Sequence, residues 1–212
     1  MATPDRSIDP RILASAQKEF LAKGFEKTSL KTICANAGIT TGALYKRYQG
    51  KADLFHAVVA DTVADLDAVV AERGNIDVTT LSDQQLMKAW DMDRADMLWW
   101  FRFLYERHDG FVLLLCCAEG TAYANFQHDW VEKMTQATSA FLAEAQKRKL
   151  ARPDVGKAEL HILLSAFWTT IYEPFIHGFS WSQIEKHCDL VCQLFHWQKA
   201  LGFPPQATAP LP

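Results

Sequence analysis

The chain lacks most of what would tie it to a membrane, an exported scaffold or an enzyme. Hydrophobic residues make up 49% of its 212 positions, yet no apolar run approaches the roughly 20 residues that a membrane span requires. Residues 1–20 show no basic start followed by an apolar stretch, so no secretory signal is expected. Five cysteines, an odd number without framework spacing, suit a reducing cytosol better than a disulfide scaffold, and a cytoplasmic protein is expected. There is no glycine-rich phosphate loop, no nucleophile elbow and no paired-histidine metal motif. Neither catalysis nor a cofactor or metal is therefore expected. Segments with the two-residue period of a strand are missing as well, which leaves an all-α fold.

What the chain has instead is a basic head on an acidic body. Net charge is −3 overall, but residues 1–51 hold nine Lys or Arg against four Asp or Glu, a local +5. The remaining 161 residues carry 13 against 21, a local −8. Solvated faces can produce such a split by chance; it is also the footprint of a nucleic-acid-binding segment joined to something else.

Within the head, the stretch from Thr28 to Leu54 reads as two short helices about a glycine turn. Thr28 or Ser29 can cap the first, and Leu30, Ile33 and Ala37 fall on one face. Gly38 sits where a helix end favours a left-handed residue, Ile39 plugs the turn, and Thr40 is a second N-cap. The next helix has only about two turns before Gln49 and Gly50 stop it. Leu44 and Tyr48 face inward, which leaves Thr40, Thr41, Tyr45, Lys46 and Arg47 at or near the surface. So many polar groups on so short a helix describe a helix-turn-helix whose second helix enters the major groove of double-stranded DNA. Upstream, Asp9 and Pro10 open a bracing helix with Ile12, Leu13, Ala16 and Phe20 as its buried stripe and Gly24 as its end. Residues 1–7 are expected to form a mobile arm carrying Arg6.

The string AGITTGALYKRYQGKADLF resembles the signature of the TetR family of one-component transcriptional regulators, with Gly38, Gly42, Leu44, Tyr45, Tyr48, Lys51 and Leu54 in register. Gln49-Gly50 departs from the family habit of proline or asparagine followed by serine. The resemblance implies a three-helix DNA-binding head at residues 1–50 and a fourth helix at 51–74. A helical effector-binding and dimerisation domain would follow at 75–203. It further implies a homodimeric repressor on a palindromic operator, with the last two helices pairing across a dyad. Thr28, Lys46 and Lys51 are expected at phosphates. Thr40, Thr41, Ala43 and Tyr45 are expected at base edges or sugars, Tyr45 by likeness to many relatives.

Beyond Gly74 the pattern stays helical. Ser82 with Gln85 and Ser180 with Gln183 have capping-box spacing. Helices are expected from Asp93 to a break at Asp109-Gly110, from Thr121 to Leu150, from Pro153 to about Gly178 with Pro174 kinking or ending it, and from Ser180 to Gly202. The tail at 204–212, PPQATAPLP, is expected to be disordered. Bulky aromatics exceed what one helix face can bury, so a cavity for a small apolar effector of unknown identity is expected among Trp99, Trp100, Phe103, Phe126, Trp130 and Phe167. Leu160, Leu163, Leu164, Phe167, Ile171, Ile184, Val191 and Phe195 are expected along the dyad. Cys188, Cys192 and His196, four apart, could present metal ligands; the apolar residues around them favour packing. The competing reading is a DNA-binding regulator or architectural protein without an effector, and it needs no cavity in residues 80–180.

Overall fold

A computed structural model describes residues 8–204; the expected N-terminal arm and the tail beyond Pro204 lie outside the described residues. Among these the chain is all-α, with no strand and no helix long and apolar enough to cross a membrane. Its helices are α1 (Ile8–Lys27), α2 (Leu30–Ala37), α3 (Thr41–Tyr45), α4 (Lys51–Gly74), α5 (Asp83–Lys88), α6 (Arg94–Tyr105), α7 (His108–Cys116), α8 (Phe126–Lys147), α9 (Lys157–Ile176), α10 (Trp181–Leu194) and α11 (Trp197–Ala200).

They gather into two compact units. One holds the chain up to Asp67 together with Glu106–Gln127; the other holds Ala68–Tyr105 and everything from His128 onward. The division falls inside α4, and a later segment returns to the head. Contacts distant in sequence cause that return. The Phe25 N–H donates to the Cys117 carbonyl at 2.9 Å, and Gln17 Nε2 donates to Asp109 Oδ2 at 2.7 Å.

In the first unit, Gly24 adopts φ 73°, ψ 166°, a region closed to most side chains. The chain reverses there and sets Phe25 against Phe20 and Phe55, with centroids 6.0 and 5.6 Å away. Phe20 meets Phe55 edge-on at 5.0 Å, a favoured aromatic geometry. Ile12, Ala16, Ile33, Leu44, Leu54 and Val59 complete the core.

In the second unit, Ser82 and Gln85 form the expected reciprocal capping box at the start of α5. Arg148, at the end of α8, gathers the connector before α5. Its guanidinium donates to the carbonyls of Leu81 at 2.6 Å and Thr79 at 3.1 Å, and to Glu144 Oε1 at 2.7 Å. Phe101, Trp168, Ile171, Ile184 and Cys188 are fully buried within this unit.

Several expected boundaries move. The break after α6 falls at Glu106–Arg107, whereas Gly110 lies inside α7. The helix expected from Thr121 starts at Phe126, after a series of turns. Pro174 is accommodated in the last turn of α9. The helix expected from Ser180 to Gly202 is divided: α10 stops at Leu194, where Phe195 turns extended, and α11 follows from Trp197. The Phe195 ring packs on Phe167 at 5.2 Å and Trp197 at 5.9 Å.

Gly110 is the position where a side chain would do most harm. A Cβ there would stand 2.0 Å from Thr62 Oγ1 and 3.0 Å from Thr62 Cβ. Glycine to alanine in a helix normally gains about 1 kcal/mol, but overpacking costs about 1–3 kcal/mol, and a contact this short makes the clash dominate. Gly110→Ala is expected to lower the melting temperature, and Thr62→Ala in the same chain to recover most of the loss in a double-mutant cycle.

Candidate functional site

The helix-turn-helix is built much as its residues dictate. Gly38 takes φ 66°, ψ 37° and closes α2 with its N–H on the Ala35 and Cys34 carbonyls. The Thr40 hydroxyl oxygen accepts from the Ala43 N–H at 3.2 Å and caps α3. Leu44 is fully buried, which fixes the rotation of α3 and turns Thr41, Tyr45 and Lys46 outward. Tyr45 is 58% exposed, unusually open for a tyrosine. Ala43 is half-buried, and Arg47 is anchored by Asp9 Oδ1 and the Ala43 carbonyl.

Two of the residues expected at phosphates make hydrogen bonds within the head. Thr28 is buried, and its hydroxyl donates toward the carbonyls of Gly24 at 2.7 Å and Glu19 at 3.1 Å. Lys51 Nζ donates to the carbonyls of Glu26 at 2.9 Å and Thr28 at 3.1 Å, lying 4.5 Å from the Phe25 ring centroid. Both close the end of α1, where unsatisfied carbonyls attract donors. The exposed residue at the start of α2 is Ser29, the N-cap whose hydroxyl makes no capping bond. Sequence left Thr28 and Ser29 equivalent as caps; the reversal at Gly24 decides which one points inward.

The second unit holds a recess of about 110 Å³ lined by Arg73, Trp90, Met92, Trp100, Phe167 and Trp168 among others. Two open depressions adjoin it, of about 660 and 470 Å³, and Met92 lines all three. Of the six residues expected to hold an effector, Trp100 and Phe167 line the recess. Trp130 is buried behind it, 5.3 Å from Trp168. Trp99, 51% exposed, lines the smaller depression and stacks on Phe103 at 5.3 Å. Phe126 belongs to the first unit, against Phe111 at 6.2 Å.

Arg73 was not expected there. Its Nε donates to Thr138 Oγ1 at 3.1 Å, Nη2 donates to the Ala89 carbonyl at 3.3 Å, and its cation lies 4.3 Å from the Phe141 ring centroid. Burial pushes this guanidinium down to about 10. In sequence it reads as an ordinary basic residue near a helix C-terminus. Cys188 is buried, and burial pushes its thiol up to about 12. Among the described residues no three His, Cys, Asp or Glu groups gather closely enough to hold a metal ion.

Residues 12–58 match the sequence pattern of the bacterial regulatory proteins of the tetR family. That match is confined to the helix-turn-helix head and the start of α4. A stretch of 48 residues is 35% identical to the HTH-type transcriptional repressor BepR of Brucella suis, spanning 23% of each protein. The fold as a whole is similar to NalD, the secondary repressor of the MexAB-OprM multidrug efflux pump in Pseudomonas aeruginosa. That likeness has a TM-score of 0.57 at 20% identity and covers 89% of this chain and 93% of that one. A TetR-like regulator from Rhodococcus gives a TM-score of 0.59 at 19% identity, covering 91% and 96%.

In this head Thr28 is buried and hydrogen-bonded to the end of α1. Thr28→Val is expected to cost about 1 kcal/mol of stability through its lost hydrogen bonds and to leave the salt dependence of DNA binding unchanged. Thermal unfolding and a salt titration check both, and an unchanged melting temperature with weakened DNA binding would reverse the assignment.

Proposed function

We propose that the protein is a homodimeric transcriptional repressor that binds a palindromic operator and is released by a small, largely apolar effector. The observation that carries the reading is α3, a five-residue helix pinned by buried Leu44 with Thr41, Tyr45 and Lys46 turned to solvent. On this reading Lys46 and Ser29 meet phosphates. Thr40, Thr41, Ala43 and Tyr45 meet base edges or sugars, and Thr28 and Lys51 hold the head together.

One such helix reads few base pairs, so specificity calls for two heads roughly 34–36 Å apart on successive major grooves. The dyad rests on α9 and α10, though not on the residues expected. Leu160, Leu164, Phe167, Ile171, Ile184 and Val191 are buried inside their own subunit, with Leu163 and Phe195 half-buried. Ile162, Leu190 and Leu194 are the most open large apolar side chains on these helices, 67%, 63% and 68% exposed, ahead of Ile176 at the end of α9, and they supply the seam. Effector binding favours one head spacing over the other, and linkage makes the loss of operator affinity equal to that preference. α4 carries the coupling as an unbroken helix that starts in the head and ends at Arg73 and Gly74.

Lys46→Ala should weaken binding to all duplexes alike and lower the salt slope by about one, whereas Thr41→Ala should change base preference. Equal losses on operator and random duplex for both would refute this division of roles. Leu190→Glu with Leu194→Glu should give a folded monomer by light scattering and reduce operator affinity by about tenfold or more, since one head reads too few base pairs. A wild-type protein that is monomeric at micromolar concentration would overturn the dimer.

A further inference from the structure

The recess beside α4 is lined by several hydrogen-bond donors. Arg73 has five N–H donors, of which Thr138 and Ala89 occupy two. Among the described residues no carboxylate stands within ion-pair reach of it, and the lining holds no Asp or Glu. Two indoles of the same wall, Trp90 and Trp168, are buried with their Nε1–H groups bonded to nothing. Arg73 is half-buried, and a cation that loses hydration without gaining an anion is destabilised, as is a buried donor without an acceptor. Three such groups around one small hollow describe a site that is incomplete until something brings negative charge and acceptor oxygens. The rest of the wall is apolar and aromatic: Trp100, Met134, Leu164 and Phe167.

We infer that the effector is an anionic one, a single-ring aromatic carboxylate whose carboxylate meets Arg73 and whose ring lies among the tryptophans. The inference rests on the effector-released repressor reading and names the ligand class of that site. Guanidinium and carboxylate match as forks, giving two parallel hydrogen bonds. Size sets the ring count. The recess of about 110 Å³ falls below the roughly 300 Å³ where drug-sized pockets begin, but it approaches the roughly 150 Å³ cavity that accommodates benzene. Met92, an unbranched and adaptable side chain, lines the recess and both depressions; its repacking enlarges the recess to admit the ring.

The test compares benzoate, benzamide and toluene on the full chain by calorimetry and thermal shift, followed by operator binding. Benzoate should bind about tenfold or more tightly than benzamide or toluene, the worth of a hydrogen-bonded charge. Arg73→Met should abolish that preference and leave toluene binding intact, with Arg73→Lys restoring part of it. Arg73 also ties α4 to Thr138 and Ala89, so its variants could unfold. Trp168→Phe removes a single N–H and should weaken benzoate several-fold without affecting toluene. Equal binding of the three probes, or benzoate affinity that survives Arg73→Met, overturns the anionic class and leaves the recess standing as an effector site. No binding by any probe overturns both. Arg73-dependent benzoate binding with unchanged operator affinity upholds the ligand class and defeats release from DNA.

Discussion

A helix of five residues cannot sustain itself in water. Its nucleus costs more than so few hydrogen bonds return, so the geometry of α3 has to be imposed from outside. Much of the first unit consists of that imposition. Gly38 sets the turn angle, the Thr40 hydroxyl satisfies an orphan N–H, buried Leu44 fixes the rotation, and Arg47 bridges from the Ala43 carbonyl to Asp9 on α1. Thr28 and Lys51 extend the same logic by tying off the carbonyls at the end of α1. The side chains left at the surface of α3 are the ones the scaffold has no use for.

That division explains what could be read from sequence. The turn, the caps and the inward residues were legible because each rests on local chemistry: a glycine at a left-handed position, a hydroxyl three residues before an N–H, an apolar spacing of three and four. Thr28 misled because a hydroxyl at a helix start has two directions to go, and a reversal at Gly24 four residues earlier makes the choice. Gly110 misled for a related reason. Aspartate followed by glycine usually marks a turn, and only the approach of Thr62 shows why a helix would keep that glycine.

The second unit was legible as helices and as an aromatic surplus, but not as a site. Its tryptophans divide among deep packing, the wall of the recess and open surface, and helical spacing alone cannot sort them. The residue on which the proposed ligand class turns is a single arginine near the end of α4. No periodicity marks it, because its meaning comes from the absence of a nearby carboxylate, and an absence in space leaves no trace along a chain. The apolar residues of α9 and α10 show the same limit in reverse: most serve the subunit's own core, and the few left uncovered could be told apart only by measuring exposure.

The return of Glu106–Gln127 to the first unit bears on how this chain could be taken apart and recombined. Reading heads are commonly thought of as cassettes, cut at one peptide bond and joined to a new sensor. Here the cassette is discontinuous. A graft ending after α4 would strip Phe111 and Leu114 from the core and leave the Phe25 N–H without its acceptor at Cys117. A working chimera would need two splices, bringing the α7 segment along with the head, and Gly110 and Thr62 would have to travel as a matched set.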